Sequence, residues 1–171
     1  LLKREQTIVT PIAGTTRDSI DSYVKWHGNE ITLVDTAGLR KLSKIKDKIE
    51  YYSTVRTQNA ILGCDLALVL IDAEKGFGKQ DKSIIDQVIN KGKALIIIVN
   101  KWDTINKTTN TMRDFKQEIR FQFKELDYYP ILFLSAKTKQ RINKVLEIAW
   151  EVYQRSKNMI PTNKLNVLIE K

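Results

Sequence analysis

Ala94-Leu95-Ile96-Ile97-Ile98-Val99-Asn100-Lys101-Trp102-Asp103 is the stretch on which the fold of this chain turns. A run rich in β-branched residues, bounded by polar ones, reads as a strand buried on both faces, and such strands belong to parallel sheets covered by helices. The polar tetrad then falls at the strand's carboxyl end, where open α/β sheets bind ligands. An Asp held there can accept two hydrogen bonds from the N1–H and N2–H₂ edge of guanine, a pair of donors that adenine lacks. Asp103 therefore predicts a preference for GTP over ATP, on the order of 10²–10⁴ in affinity if both bonds are lost. Lys101 would lay its stem along the base, and Asn100 would brace neighbouring loops. Taken alone, N-K-x-D also fits a polar strand end of no particular use.

Working outward, the same alternation recurs. Leu66 to Ile71 reads as a second buried strand, followed by a loop from Asp72 to Gly78. Gln80 to Asn90 reads as a helix with Ile84, Ile85, Val88 and Ile89 inward. Beyond the tetrad, Thr108 to Leu126 has the spacing of one long amphipathic helix through Met112, Phe115, Ile119, Phe123 and Leu126. Pro130 to Leu134 is the next strand, ending at Ser135-Ala136-Lys137. Gln140 to Tyr153 is a final helix, and Ser156 to Ile160 has linker composition. Thr162 could cap a further helix carrying Leu165, Leu168 and Ile169.

On the amino-terminal side, Tyr51 to Leu62 has helical spacing. Ser19 to Trp26 and Ile31 to Val34 read as a hairpin around His27-Gly28-Asn29-Glu30. His27 is the only histidine, and its place in a turn marks it as a solvent-exposed bystander. Leu1 to Glu5 resembles the last turn of a helix, and Thr7 to Thr10 a short strand. Strands alternating with helices after a hairpin imply an α/β fold, a mostly parallel sheet with helices on both faces.

The 171 residues suit one domain of ordinary size, able to bury about 70% of its unfolded surface. Lys and Arg number 29 against 20 Asp and Glu, a formal charge of +9 that suits a polyanionic partner such as RNA or simply a basic composition. No apolar run approaches the length of a membrane span. Cys64, the single cysteine, has no internal disulfide partner, and its apolar surroundings predict a buried thiol in a reducing cytoplasm.

Four polar motifs stand at strand ends or in adjacent loops: Gly14-Thr15-Thr16-Arg17-Asp18, Asp35-Thr36-Ala37-Gly38, Asn100-Lys101-Trp102-Asp103 and Ser135-Ala136-Lys137. Their order resembles the motif series of the translation-factor-related GTPases, with a Ras-like P-loop NTPase fold. That resemblance implies a hydroxyl and an N–H from Thr16 for Mg²⁺ and the γ-phosphate, with Asp35 holding the magnesium through a water. Gly38, without a Cβ, would let its N–H approach the γ-phosphate and switch the segment after it. Ser135 and the Ala136 N–H would touch the guanine O6 and support Asp103.

The resemblance extends to the Der (EngA) family of tandem-domain ribosome-assembly GTPases, in particular to the second G domain. It is carried by Ile8 to Asp18, by Asp35-Thr36-Ala37-Gly38-Leu39-Arg40, by Ile49-Glu50-Tyr51-Tyr52-Ser53 with Arg56-Thr57, and by the tetrad. The tail from Ile160 to Lys171 looks like the start of the KH-like domain that follows in that family. The expected division is a G domain over 1–158 and a linker with the start of the next domain over 159–171. The position after the switch glycine is Leu39, which can neither donate nor accept a hydrogen bond and so cannot orient water. The family implies a potassium ion against the phosphates instead, wrapped by carbonyls of the Thr10 to Thr16 loop.

No G-x-x-x-x-G-K-[ST] occurs in these residues. In the resembled family that loop and the first strand lie just before Leu1, with the strand between Ile31–Asp35 and Leu66–Ile71. A truncated chain is therefore expected, with two open sheet edges, weak GTP binding and little hydrolysis. The expected function is a GTP-dependent switch in large-subunit assembly, with rRNA and ribosomal proteins as partners alongside the remainder of a tandem-GTPase chain. Arg40, Lys41, Lys44, Lys46 and Lys48 either meet phosphates there or form a solvated loop. The alternatives are a nucleotide-free RNA- or protein-binding module and a related GTPase of tRNA modification.

Overall fold

The computed structural model describes residues 22–34 and 57–158, with isolated positions 161, 162, 166 and 169. The expectations for Leu1–Glu5 and Thr7–Thr10, the polar loop to Asp18, the strand residues 19–21 and the segment from Asp35 to Arg56 lie outside the described residues.

The hairpin pairs β1 (Ser22–Trp26) with β2 (Asn29–Leu33) antiparallel, Val24 facing Ile31 and Trp26 facing Asn29. The turn is only two residues, because His27 and Gly28 both take positive φ, 46° and 80°. That is the turn whose twist matches the strands it joins. His27 is exposed there, its ring edge-on to Trp26. Among the described residues the hairpin forms a sheet of its own.

Residues 57–63 are helical and form α1. There follow β3 (Leu66–Asp72), α2 (Lys79–Asn90), β4 (Ala94–Asn100), α3 (Thr111–Gln122), a 3₁₀ turn η1 (Lys124–Tyr128), β5 (Ile131–Phe133) and α4 (Ile142–Lys157). β3, β4 and β5 make a parallel sheet with β4 in the middle. Leu95 to Val99 are all buried, since helices cover both faces. Leu95, Ile97 and Val99 pack with Ile85 and Val88 of α2 and Ile119 of α3. Ile96 and Ile98 pack oppositely, with Val145 and Ile148 of α4. Burying each such side chain contributes about 1.5–3 kcal/mol relative to exposure. Leu70 on β3 is half-exposed, on the strand that forms one side of this sheet among the described residues.

The turn from α2 into β4 is fixed by Gly92, whose φ of +63° reverses the chain. Its N–H donates to Ile89 and that of Lys93 to Val88, closing the helix end with its own carbonyls.

Several boundaries differ from expectation: β2 already begins at Asn29, inside the expected four-residue turn, and α3 begins at Thr111, past the expected Thr108. The long helix predicted over Thr108 to Leu126 is two pieces, because Phe123 is extended (φ −151°, ψ 92°) and η1 follows. Phe123 and Leu126 are buried all the same. Spacing alone could not separate the cases, since α and 3₁₀ turns both put residues three apart on neighbouring faces. The last helix starts at Ile142 because Gln140 bridges to Ser135. It runs through the expected linker residues Ser156 and Lys157, where the Lys157 ammonium meets the Asp65 carboxylate at 2.9 Å. Cys64 is half-buried, its thiol donating to the Ile61 carbonyl at 3.4 Å, and burial pushes its pKa up.

Candidate functional site

The carboxyl ends of β3, β4 and β5 converge on one corner. β4 delivers Asn100, and Trp102 then turns inward, 3% exposed, against the Phe133 ring at 4.4 Å and the Phe115 ring at 5.8 Å. Its main-chain N–H donates to the Leu134 carbonyl at 3.0 Å. The third residue of the tetrad is therefore an anchor, which leaves Lys101 and Asp103 on either side of it free to line a surface.

Lys101 takes a positive φ of 62°, uncommon for a residue with a Cβ. The strain is held by two local bonds: its N–H donates to Asn100 Oδ1 at 2.8 Å, and its carbonyl accepts from the Thr104 hydroxyl at 2.9 Å. The same Asn100 Oδ1 accepts the Ala136 N–H at 3.0 Å. One side-chain oxygen thus binds the tetrad to the loop after β5. The Ala136 N–H is engaged by Asn100, so a base carbonyl at that place would share it.

Ser135 is fully buried. Its N–H donates to the Gln140 carbonyl at 3.3 Å, and its hydroxyl oxygen accepts the Thr138 N–H at 3.1 Å, so the hydroxyl proton is left to point elsewhere. Its hydroxyl beside Asp103 is the chief influence holding that carboxyl below the usual range, with the Asp103 N–H, Lys137 and Lys107 acting the same way against partial burial. Asp103 is therefore ionised at neutral pH. Its Oδ1 is inaccessible to solvent and has no hydrogen-bond partner among the described residues. The Ser135 hydroxyl lies close enough to act on the charge. Asp103 as a whole is half-buried, and an ionised carboxylate at that place suits N–H donors of a ligand.

Asn100, Lys101, Asp103, Ser135, Ala136 and Lys137 are thus brought together, with Lys101, Ala136 and Lys137 exposed at the rim. Thr10, Gly14, Thr15, Thr16, Asp35, Thr36, Ala37, Gly38 and Leu39 lie outside the described residues. Sequence reading missed Asp72, assigned to a loop. It is the last residue of β3, and its Oδ2 is 2.8 Å from the Lys101 ammonium. The available signal was a carboxylate closing a buried strand, as Asn100 closes β4.

The family described as 50S ribosome-binding GTPase matches residues 1–101. GTPase Der of Clostridium tetani is 49% identical over 171 residues, all of this chain and 39% of that protein. The chain belongs to this GTPase family, in its Der branch. GTPase Der of Chloroflexus aggregans is 47% identical over 166 residues, 97% of this chain and 37% of that protein. The chain thus spans well under half the length of the curated relatives it matches.

Among solved structures, Era in complex with MgGDPNP and nucleotides 1506–1542 of 16S ribosomal RNA overlays with a TM-score of 0.66 at 22% identity, over 92% of this chain and 50% of that one. The elongation factor SelB of Methanococcus maripaludis gives 0.66 at 19%, over 84% and 30%. These establish the fold as that of a P-loop GTPase G domain, a parallel sheet with helices on both faces. The fit of this corner to a ligand is chemical: an ionised carboxylate suits an edge of N–H donors such as that of guanine.

Proposed function

We propose that this chain is the guanine-nucleotide-binding region of a GTP-hydrolysing switch that acts in the assembly of the large ribosomal subunit. The observation that supports the nucleotide reading is the ionised, half-buried Asp103 carboxylate at the carboxyl end of the sheet, set in a frame stapled by Asn100. In this reading Asp103 accepts the N1–H and N2–H₂ of guanine. Lys101 lays its stem on the base, and Ser135 and Lys137 keep the carboxylate charged. Ala136 divides its N–H between Asn100 and the guanine O6.

The phosphate side of the proposal rests on Thr10, Gly14, Thr15, Thr16, Asp35, Thr36, Ala37, Gly38 and Leu39. Mg²⁺, held by Thr16 and Asp35, would supply a positive charge against the phosphate oxygens. With Leu39 unable to orient water, a potassium ion near the Thr10 to Thr16 carbonyls would supplement that charge. Equal GTPase rates in potassium and sodium would remove that part. The 171 residues contain no G-x-x-x-x-G-K-[ST], so by themselves they should bind GTP weakly and turn it over slowly.

rRNA and ribosomal proteins of the large subunit, met in the cytoplasm, are the proposed partners. The charge of +9 supports a polyanionic one, and no helix among the described residues is long and apolar enough to cross a membrane. The remainder of a tandem-GTPase chain would be its covalent neighbour.

The test is competition of GTP and ATP for the full-length protein, followed by sedimentation with large subunits in GTP, GDP and no nucleotide. GTP should win by at least about 10², and subunit association should follow the nucleotide. Equal affinity for the two would sink the base reading. Salt-dependent RNA binding indifferent to GTP would replace the switch with a nucleotide-free binding module.

A further inference from the structure

Asp72 closes β3, and its register partner across the strand is Asn100, the first residue of the tetrad. The Ala73 N–H donates to the Asn100 carbonyl at 2.9 Å, which locks the two strand ends together. The Asp72 carboxylate is itself fixed. Its Oδ1 accepts the Glu74 N–H at 3.1 Å, while its carbonyl accepts from Lys75 and Gly76 at 3.1 and 3.0 Å. Lys101 starts from a strained backbone and sends its ammonium back to Asp72 Oδ2 at 2.8 Å, with Glu74 Oε2 farther off at 3.6 Å. The side chain of Asp72 is 12% exposed and that of Lys101 49%. A four-carbon stem pinned at both ends is an apolar strip across two strand ends, two residues from Asp103.

We propose that Asp72 is a positioning residue of the base site: by tethering the Lys101 ammonium it holds the lysine stem as the surface on which the purine ring lies. This rests on the base reading proposed above. Asp72 does not touch the nucleotide. An untethered lysine ranges over many rotamers, and a base can settle on it only after that freedom is lost. Asp103 reads the 2-amino group and thereby sets the preference for GTP over ITP, which lacks it. The strip touches the ring face common to both, so Asp72 governs the affinity for both alike.

The experiment uses the full-length protein and fluorescent-nucleotide displacement by GTP and ITP, following the binding component that Asp103→Asn removes. Asp72→Ala should weaken both nucleotides by about fivefold, the scale of one partly exposed ion pair, with their ratio unchanged. In a Lys101→Met background, which keeps a stem without a charge, Asp72→Ala should add nothing. Asp72→Asn, which keeps an acceptor for the Glu74 N–H, covers the case of a poorly folding alanine variant and should shift both nucleotides in the same direction. No loss in either Asp72 variant, or an equal loss in the Lys101→Met background, overturns the tether. If no component responds to Asp103→Asn, the base reading itself has failed and the tether falls with it.

Discussion

The side-chain oxygen of Asn100 accepts the Ala136 N–H at 3.0 Å, across 36 residues of sequence, and so joins the end of β4 to the loop that follows β5. The same oxygen accepts the Lys101 N–H at 2.8 Å. Asn100→Ala removes both bonds and should cost about 1–2 kcal/mol, a fall in Tm of about 2–8 °C. Asn100→Asp keeps the acceptor and should retain most of that stability. Calorimetry on the pair of variants checks the assignment.

The middle of β4 is where stability is concentrated. Ile97 is fully buried between the sheet and the helices α2 and α3. Ile97→Ala should destabilise by about 2–5 kcal/mol, because the tightly packed surroundings refill the cavity only in part. Phe121→Ala should change little, within about 0.5 kcal/mol, since Phe121 is 88% exposed. Urea unfolding curves with unchanged slope would show both.

The pair of Lys101 and Asp72 predicts a window of pH. The Lys101 ammonium is the main reason the Asp72 carboxyl sits below its ordinary range, and Asp72 the main reason Lys101 sits above its own. A carboxyl lowered on folding stabilises above its unfolded pKa and loses that contribution as pH falls through its folded value. A lysine raised on folding stabilises fully below its unfolded pKa and loses that contribution as pH rises through its folded value. The Tm difference between wild type and Lys101→Met should be level from about pH 5 to about pH 9 and fade on either side. It should be small and shrink in salt, because Lys101 is half-exposed.

Much of this architecture was legible because β4 is hydrophobic on both faces. A buried parallel strand has no polar alternation to hide it, and Leu95 to Val99 announce their helices before any contact is seen. The tetrad was legible for the related reason that charged residues ending such a strand must face solvent or a ligand. What spacing could not reveal depended on backbone geometry and distant partners. The extended Phe123 breaks a helix without disturbing the burial of its apolar residues. Gln140 leaves its helix for a bridge to Ser135, and Lys157 stays in one to meet Asp65. Asp72 was passed over because its significance comes from Lys101, 29 residues on. The sequence assigns no role to Trp102, and its contacts with Phe115 and Phe133 show that it anchors the residues on either side of it.

The most direct test exchanges the hydrogen-bonding sense of one side chain. Asp103→Asn turns one acceptor into a donor, so it no longer suits the N2–H₂ of guanine and suits instead the 2-oxo group of xanthine. Affinities of the full-length wild type and Asp103→Asn for GTP and XTP should be measured side by side. Wild type should prefer GTP, and the variant should reverse the preference at the binding component it alters, without a loss of folding. A GTP-to-XTP ratio unchanged by the substitution would contradict the claim that Asp103 reads the base.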